Sequence, residues 1–213
     1  MKKETPRIPE TLVEQSLQWV LDEEDRELVC SNISQEDLSD SFLEKLILSK
    51  CVVTRCTFAR SHMMKADCTD VRFVNCDFSN VDLSESLFHR VEFIDCKFIG
   101  SQFTNAHMSH STFTNCVLNV SNFIDVTLKG TQFVRSSLRQ VNVAHAKIKQ
   151  LTLDTCDIDE CSFHETSLKG VDISTCTYHS FQASQDLLAG LIVSKEQAIG
   201  FARLLGLTVK DEM

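Results

Sequence analysis

The sequence predicts an all-β solenoid, a parallel β-helix of square coils closed by a short C-terminal helix. Three observations predict it: an apolar residue at every fifth position, a small residue two places before each of them, and recurrence of residue type at twenty. The centres begin at Leu28 and run in fives through Ile33, Leu38, Phe58, Phe73, Phe78, Phe93, Phe113 and Leu138 to Tyr178, each of them apolar, Cys or Tyr. With 43% of 213 residues hydrophobic, chance would break such a run many times. An α-helix cannot use the period, because five residues advance about 500° and scatter the centres around the axis. A flat strand cannot use it either, because odd spacings alternate between its two faces. A chain that turns a corner after each five residues satisfies it, and four sides close a coil.

The small position follows the same frame through Ser61, Ala66, Val71, Cys76, Val81 and Ser86 to Val141 and Ala146. Residues two apart point the same way on extended backbone, so each unit sends one large and one small side chain inward. Phe73, Phe93, Phe113 and Phe133 fall twenty apart and are expected to stack in a ladder, as are Phe58, Phe78 and Phe98. Stacking at about 4.8 Å per coil gives roughly seven and a half coils and a rod of about 36 Å. Pro6 and Pro9 are the only prolines and lie outside the frame, as backbone that must donate along the stack requires.

Three segments follow: an N-terminal cap at 1–27, the solenoid at 28–180, and a C-terminal element of helix and strand at 181–213. In the first, Leu12, Val13, Leu17, Val20 and Leu21 suit a short helix or lid with Trp19 as its anchor, and Asp22 to Asp25 reads as a solvated charge run. In the last, the frame stops after Tyr178 and the chain is irregular to Leu191. Ser194 and Gln197 have the spacing of a capping box, Ala198, Phe201, Leu204 and Leu205 give an apolar face, Gly206 is placed to end the helix, and Leu207 to Val209 suits a strand. Such an element covers the unpaired edge of the last coil.

Ten cysteines would suggest a disulfide framework or metal site, but no C-x-x-C pair is present. Eight of them (51, 56, 76, 96, 116, 156, 161 and 176) occupy the small inward position and are read as core filler. The histidines 62, 89, 107, 110, 145, 164 and 179 fall at outward positions, with His89, His107 and His110 near one corner. No nucleophile motif, phosphate loop or paired-histidine motif appears, so the expectation is a non-enzyme without cofactor or metal. A net charge of −9 argues against direct nucleic-acid binding. The polar N-terminus and the lack of a long apolar stretch predict a soluble, cytoplasmic chain without membrane contact.

Units such as Cys76-Asp77-Phe78-Ser79-Asn80 and Val81-Asp82-Leu83-Ser84-Glu85 resemble the pentapeptide-repeat motif A(D/N)LXX. That resemblance covers residues 28–180 and implies a right-handed quadrilateral β-helix. The layout of one solenoid with a short helical end is similar to the Qnr-type group, above all its chromosomal members in Gram-positive bacteria. That likeness implies binding to DNA gyrase and topoisomerase IV by imitation of duplex DNA, protection against quinolones or inhibition of the enzyme, and homodimerisation through the C-terminal ends. Qnr-type proteins of Gram-negative bacteria interrupt the solenoid with two functional loops. Here the frame is unbroken, so no residue of those loops has a counterpart.

Under that likeness the topoisomerase-facing candidates are Asp67, Asp70, Asp77, Asp82, Glu85, Glu92 and Asp95 in the middle coils and Asp154, Asp157, Asp159 and Glu160 in the later ones. Lys129, Arg135, Arg139, Lys147 and Lys149 lie between the two groups. The dimer candidates are Ile192, Ala198, Phe201, Leu204, Leu205 and Leu207. The alternative is an interaction scaffold for another protein partner.

Overall fold

The corner of each five-residue unit is built by one residue in the left-handed backbone region. At every fifth residue from Cys30 to Gly170 φ is positive, and most of these residues are not glycine. On two of the four sides the corner closes as a turn, as where the Ser61 N–H bonds the Phe58 carbonyl at 3.0 Å with Arg60 at φ 59°. On the other two the chain stays extended through the corner, as in the strands Asp67–Val74 and Leu87–Ile94. The computed structural model describes residues 4–21, 26–204 and 206–210.

We label the sides by their centres: face A carries Leu28, Cys68 and Phe88, face B Ile33, Phe73 and Phe93, face C Phe58, Phe78 and Phe98, and face D Met63, Phe103 and Phe123. Faces A and B carry the long ladders, with Phe73 paired to Phe93 and Phe93 to Phe113 in parallel register. Faces C and D are joined by single bridges, such as Asp77 to Lys97 and Asp82 to Gln102. The result is a parallel β-solenoid of four-sided coils.

The phenylalanines form the ladders expected of them. Ring centroids are 5.1 Å apart for Phe73 and Phe93, 4.6 Å for Phe93 and Phe113, and 4.8 Å for both Phe58–Phe78 and Phe78–Phe98. Neighbouring ladders meet edge to face, as Phe73 and Phe78 do at 5.3 Å. All are buried, and truncating one to Ala costs about 3–5 kcal/mol in such a core.

The ladder on faces A and B lapses once. Among the described residues no backbone pairing joins 147–154 to 167–174, although faces C and D continue through Asp157–Thr177 and the strands Cys161–Phe163 and Phe181–Ala183. Threonine side chains bridge the gap. The Thr166 hydroxyl bonds the Ala146 N–H at 3.0 Å and the Val143 carbonyl at 2.7 Å, and the Thr175 hydroxyl accepts the Thr155 N–H at 3.1 Å.

The coil does not stop at Tyr178. Ala183 pairs with Phe163 and Ile192 with Asp172, so the twenty-residue register persists to Val193 with Ala183, Leu188 and Val193 as centres. The small position is filled there by Phe181, Asp186 and Leu191, which hides the repeat in the sequence. The helix Lys195–Leu204 then begins on the expected capping box: Ser194 Oγ accepts the Gln197 N–H at 3.2 Å and Gln197 Oε1 the Ser194 N–H at 2.9 Å. Gln197 Nε2 also donates to the carbonyls of Ile173 and Cys176, both at 2.9 Å, fixing the helix to the solenoid end. Gly206 ends the helix at φ 78°, with the Leu207 N–H bonding the Ala202 carbonyl at 3.0 Å. Leu207 to Val209 forms no strand, because no backbone partner lies beside it among the described residues.

At the other end, the strand Val13–Glu14 pairs with Ser31–Asn32 and a 3-10 helix spans Leu17–Val20. Its anchors are the buried Leu17 and Val20. Trp19 is 65% exposed, because a three-residue turn sends position 19 away from the solenoid when 17 and 20 face it. The charge run at 22–25 lies outside the described residues.

Candidate functional surface

Several of the acidic residues hold the coil together. In Asp77, Asp82 and Asp157, which directly precede a centre, the carboxylate accepts the backbone N–H two residues on: Ser79 at 2.9 Å, Ser84 at 3.0 Å and Asp159 at 3.1 Å. This Asx turn stabilises the corner and explains why Asp recurs at that position. Asp67 accepts from the Thr69 hydroxyl at 3.3 Å, and Glu92 pairs with Arg72 at 2.9 Å on face B. At the corners, Asp95 accepts from Asn115 Nδ2 at 3.1 Å and Glu160 from Gln140 Nε2 at 2.5 Å, while Glu85 is exposed. Asp154 is exposed and accepts from the Thr155 hydroxyl at 2.9 Å.

Asp70 and Asp159 do not face solvent. Asp159 accepts the backbone N–H groups of His179 at 2.7 Å and Ser180 at 3.0 Å, and Arg139 Nη2 at 2.9 Å. The Ser180 and His179 amides hold its carboxyl well below the usual range. Asp70 is bound bidentately by Arg90 at 2.6 and 2.7 Å and accepts the Arg7 N–H at 2.9 Å. Arg90 holds its carboxyl low. Both positions count as outward in the five-residue frame, but the N-terminal segment covers Asp70 and the next coil covers Asp159.

The remaining acids spread over all four faces, with Asp67 on A, Glu92 and Asp154 on B, Asp77 and Asp157 on C and Asp82 on D. Face A turns basic in its later coils. Lys129, Lys149 and Lys169 stand twenty apart beside Lys147, all exposed and, among the described residues, in no ion pair.

The cysteines at the small position are buried free thiols. Each Sγ–H of Cys76, Cys116 and Cys156 points at a carbonyl one coil back, at 3.5, 3.5 and 3.3 Å. Burial pushes Cys56 up to about 11 and Cys161 to about 12. His110 is buried, contrary to its outward place in the frame, and lies with His89 at 6.0 Å between ring centroids. His107 instead turns to the Asn105 carbonyl at 3.2 Å. Among the described residues no group of three or more His, Cys, Asp and Glu is gathered as a metal site, and no helix is long and apolar enough to cross a membrane.

At the C-terminal end, Ile192 is 49% and Leu207 60% exposed, and Ala198 is exposed. Phe201 packs inward on Phe181 with centroids 6.0 Å apart. Leu205 and the side chain of Leu204 lie outside the described residues. Ile199, 42% exposed on the same helix, joins the apolar residues here, and the apolar face read from the sequence at Ala198, Phe201, Leu204 and Leu205 did not include it.

A four-sided solenoid of five-residue units, with paired large and small inward residues, defines a solenoid repeat protein. The family model for the pentapeptide repeat region matches residues 46–123 and 107–182, and the chain belongs to that family. No curated protein matches it. Among solved structures it is similar to a trypsin-treated variant of QnrB1, a plasmid-mediated fluoroquinolone resistance protein, at 13% identity and a TM-score of 0.48, covering 86% of this chain and 100% of that one. A second trypsin-treated QnrB1 variant has 20% identity and a TM-score of 0.43 over 86% of this chain and 90% of that one. Rfr23, a pentapeptide repeat protein of the cyanobacterium Cyanothece 51142, has 11% identity and a TM-score of 0.42 over 64% and 91%.

Proposed function

We propose that the chain is a Qnr-type protein that binds DNA gyrase or topoisomerase IV through its coil faces and protects the enzyme from quinolones or inhibits it. The observation that carries this reading is the continuous five-residue frame without inserted loops: the recognition surface would be the outer face of the coils, with a mild excess of acid along it. Asp67, Asp77, Asp82, Glu85, Glu92 and Asp95 in the middle coils, with Asp154, Asp157 and Glu160 further on, supply the charge that would meet a basic, DNA-binding surface. Two copies would join end to end through the C-terminal helix, with Ile192, Ala198, Ile199 and Leu207 as the exposed contact residues.

A supercoiling assay of gyrase with ciprofloxacin, run with and without the purified chain, tests this. Restored or reduced supercoiling at micromolar protein is expected, and no effect on either would sink the reading. Sedimentation of Ile199→Asp and Leu207→Asp tests the dimer. Species as heavy as the unaltered chain would place the contact elsewhere.

The spread of acid over four faces and the lysines of face A favour a second reading, a scaffold for another protein partner. That partner would be retained by the chain in the absence of any topoisomerase effect.

A further inference from the structure

Three of the four corner rows are open to solvent, and the row between faces A and B is covered over part of its length, from Asp70 to Gly130 and at Cys30, while Lys50, Gln150 and Gly170 in it are exposed. In it Asp70 and His110 are buried and Cys30, Arg90 and Gly130 half-buried, while Arg55, Asn75, Asp95, Asn115 and Arg135 of the next row are all exposed. The cover is the N-terminal arm. Val13 pairs with Ser31 in the first coil, Arg7 reaches Asp70 two coils on, and Glu4 reaches Arg90 and His110, each at 3.8 Å. The arm is extended, with Glu4, Pro6 and Ile8 half-buried against the corner and Thr5, Arg7 and Pro9 outward, the period of two of a strand.

It is nevertheless not a strand of the sheet. From Glu4 to Leu12 no backbone group bonds solenoid backbone among the described residues, and Pro6 and Pro9 have no N–H to give. Among the described residues the polar hold consists of one N–H, from Arg7 to Asp70, and one carboxylate, Glu4, set among Arg90, His110 and the arm's own Arg7, beside the half-buried Pro6 and Ile8. A solvent-open cleft of about 620 Å³ lies between Arg7, Ile8 and Pro9 on the arm and Lys50, Asp70 and Arg90 on the corner. A segment with few bonds over incompletely filled space opens at low cost. The corner beneath it is specific, because Arg90 and His110 turn side-chain nitrogens toward a carboxylate and, three residues along the arm, the buried Asp70 carboxylate accepts a backbone N–H.

We propose that the corner between faces A and B is a docking groove for an extended, glutamate-bearing polypeptide segment, filled at rest by residues 4–9 of the chain itself. A partner segment of the same chemistry displaces the arm and takes its place. The arm, being tethered, lowers the partner's apparent affinity by the fraction of time the groove is filled.

The test uses a fluorescent peptide of residues 4–12 and the full chain carrying Glu4→Lys, which lifts the arm without touching the solenoid. Anisotropy should show the peptide binding the variant at least about tenfold more tightly than the unaltered chain, and losing that advantage when its glutamate at position 4 is replaced by glutamine. In the variant, hydrogen exchange at the Arg7 amide should become fast while Phe93 and Phe113 stay protected. Equal binding to both proteins overturns the proposal, since the peptide then sits elsewhere. So does a variant that exchanges fast at Arg7 yet binds no peptide, and so does one whose Arg7 amide stays protected.

Discussion

The Ser101 hydroxyl donates to the Phe78 carbonyl, 23 residues back, at 2.8 Å. The same spacing joins Ser121 to Phe98 at 2.5 Å, Ser136 to Phe113 at 3.2 Å and Thr166 to Val143 at 2.7 Å. Where the small inward residue is Ser, Thr or Cys, its side chain can therefore donate to the coil before, while Ala and Val fill the same position by size alone. Ser61 occupies the same position on the same face, but its buried hydroxyl has no partner among the described residues.

These two serines should respond oppositely to one substitution. Ser101→Ala should cost about 1 kcal/mol, because a buried bond is lost while the Phe78 carbonyl keeps the Val81 N–H. Ser61→Ala should be neutral or stabilising, since it removes an unpaired buried hydroxyl. Urea midpoints at unchanged slope measure both. Equal losses would show that volume alone governs the position.

Val120 sits at φ 62° with its side chain 56% exposed. A β-branched residue in the left-handed region carries strain of about 1–2 kcal/mol, and here no packing recovers it. Val120→Asn should raise stability by about 1 kcal/mol, and Val120→Gly by less, because glycine loses more freedom on folding. A melting temperature unchanged in both would mean that the corner stores no strain.

The five-residue frame was legible because each centre faces inward whichever side it lies on, so the period survives every corner. The capping box at Ser194 and Gln197 was legible because its two bonds are local. The left-handed corners were not, since Lys, Arg, Asp, Glu and Asn all occupy them and coil-to-coil backbone bonds set their conformation. The coil after Tyr178 was hidden once Phe181 and Leu191 replaced small residues. The arm carried no periodic signal, and its cover over Asp70 and His110 depends on contacts between residues 63 and more positions apart, as from Arg7 to Asp70.

Thiol chemistry should single out one cysteine. Nine of the ten are buried, and burial holds Cys156 up to about 11 and Cys161 to about 12, so their thiolates are scarce at neutral pH. Cys30, half-buried at a corner, is the exception. Native protein treated with a disulfide reagent should release about one equivalent quickly, and Cys30→Ser should remove it. Denaturant should expose all ten. Several fast thiols in the native chain would mean that the solenoid opens far more readily than its ladders suggest.

Acid should loosen the C-terminal coil first. Asp159 has its carboxyl held low by the Ser180 and His179 amides, with Arg139 adding to it. A carboxylate with a lowered folded value contributes stability that is present above its unfolded value of about 3.9 and is lost as pH falls through the folded one. Asp70, held low by Arg90, contributes with the same sign under the arm. Asp159→Asn should be less stable than the unaltered chain at pH 7, with the difference shrinking below about pH 4, where the unfolded chain's carboxylate takes up a proton that the folded one does not yet bind. Amide exchange at His179 and Ser180 should accelerate over the same interval, ahead of the amides in the Phe73 to Phe113 ladder. A variant whose deficit is constant from pH 7 to pH 2 would show that Asp159 acts there by shape and hydrogen bonding alone, and that its charge does not hold the last coil.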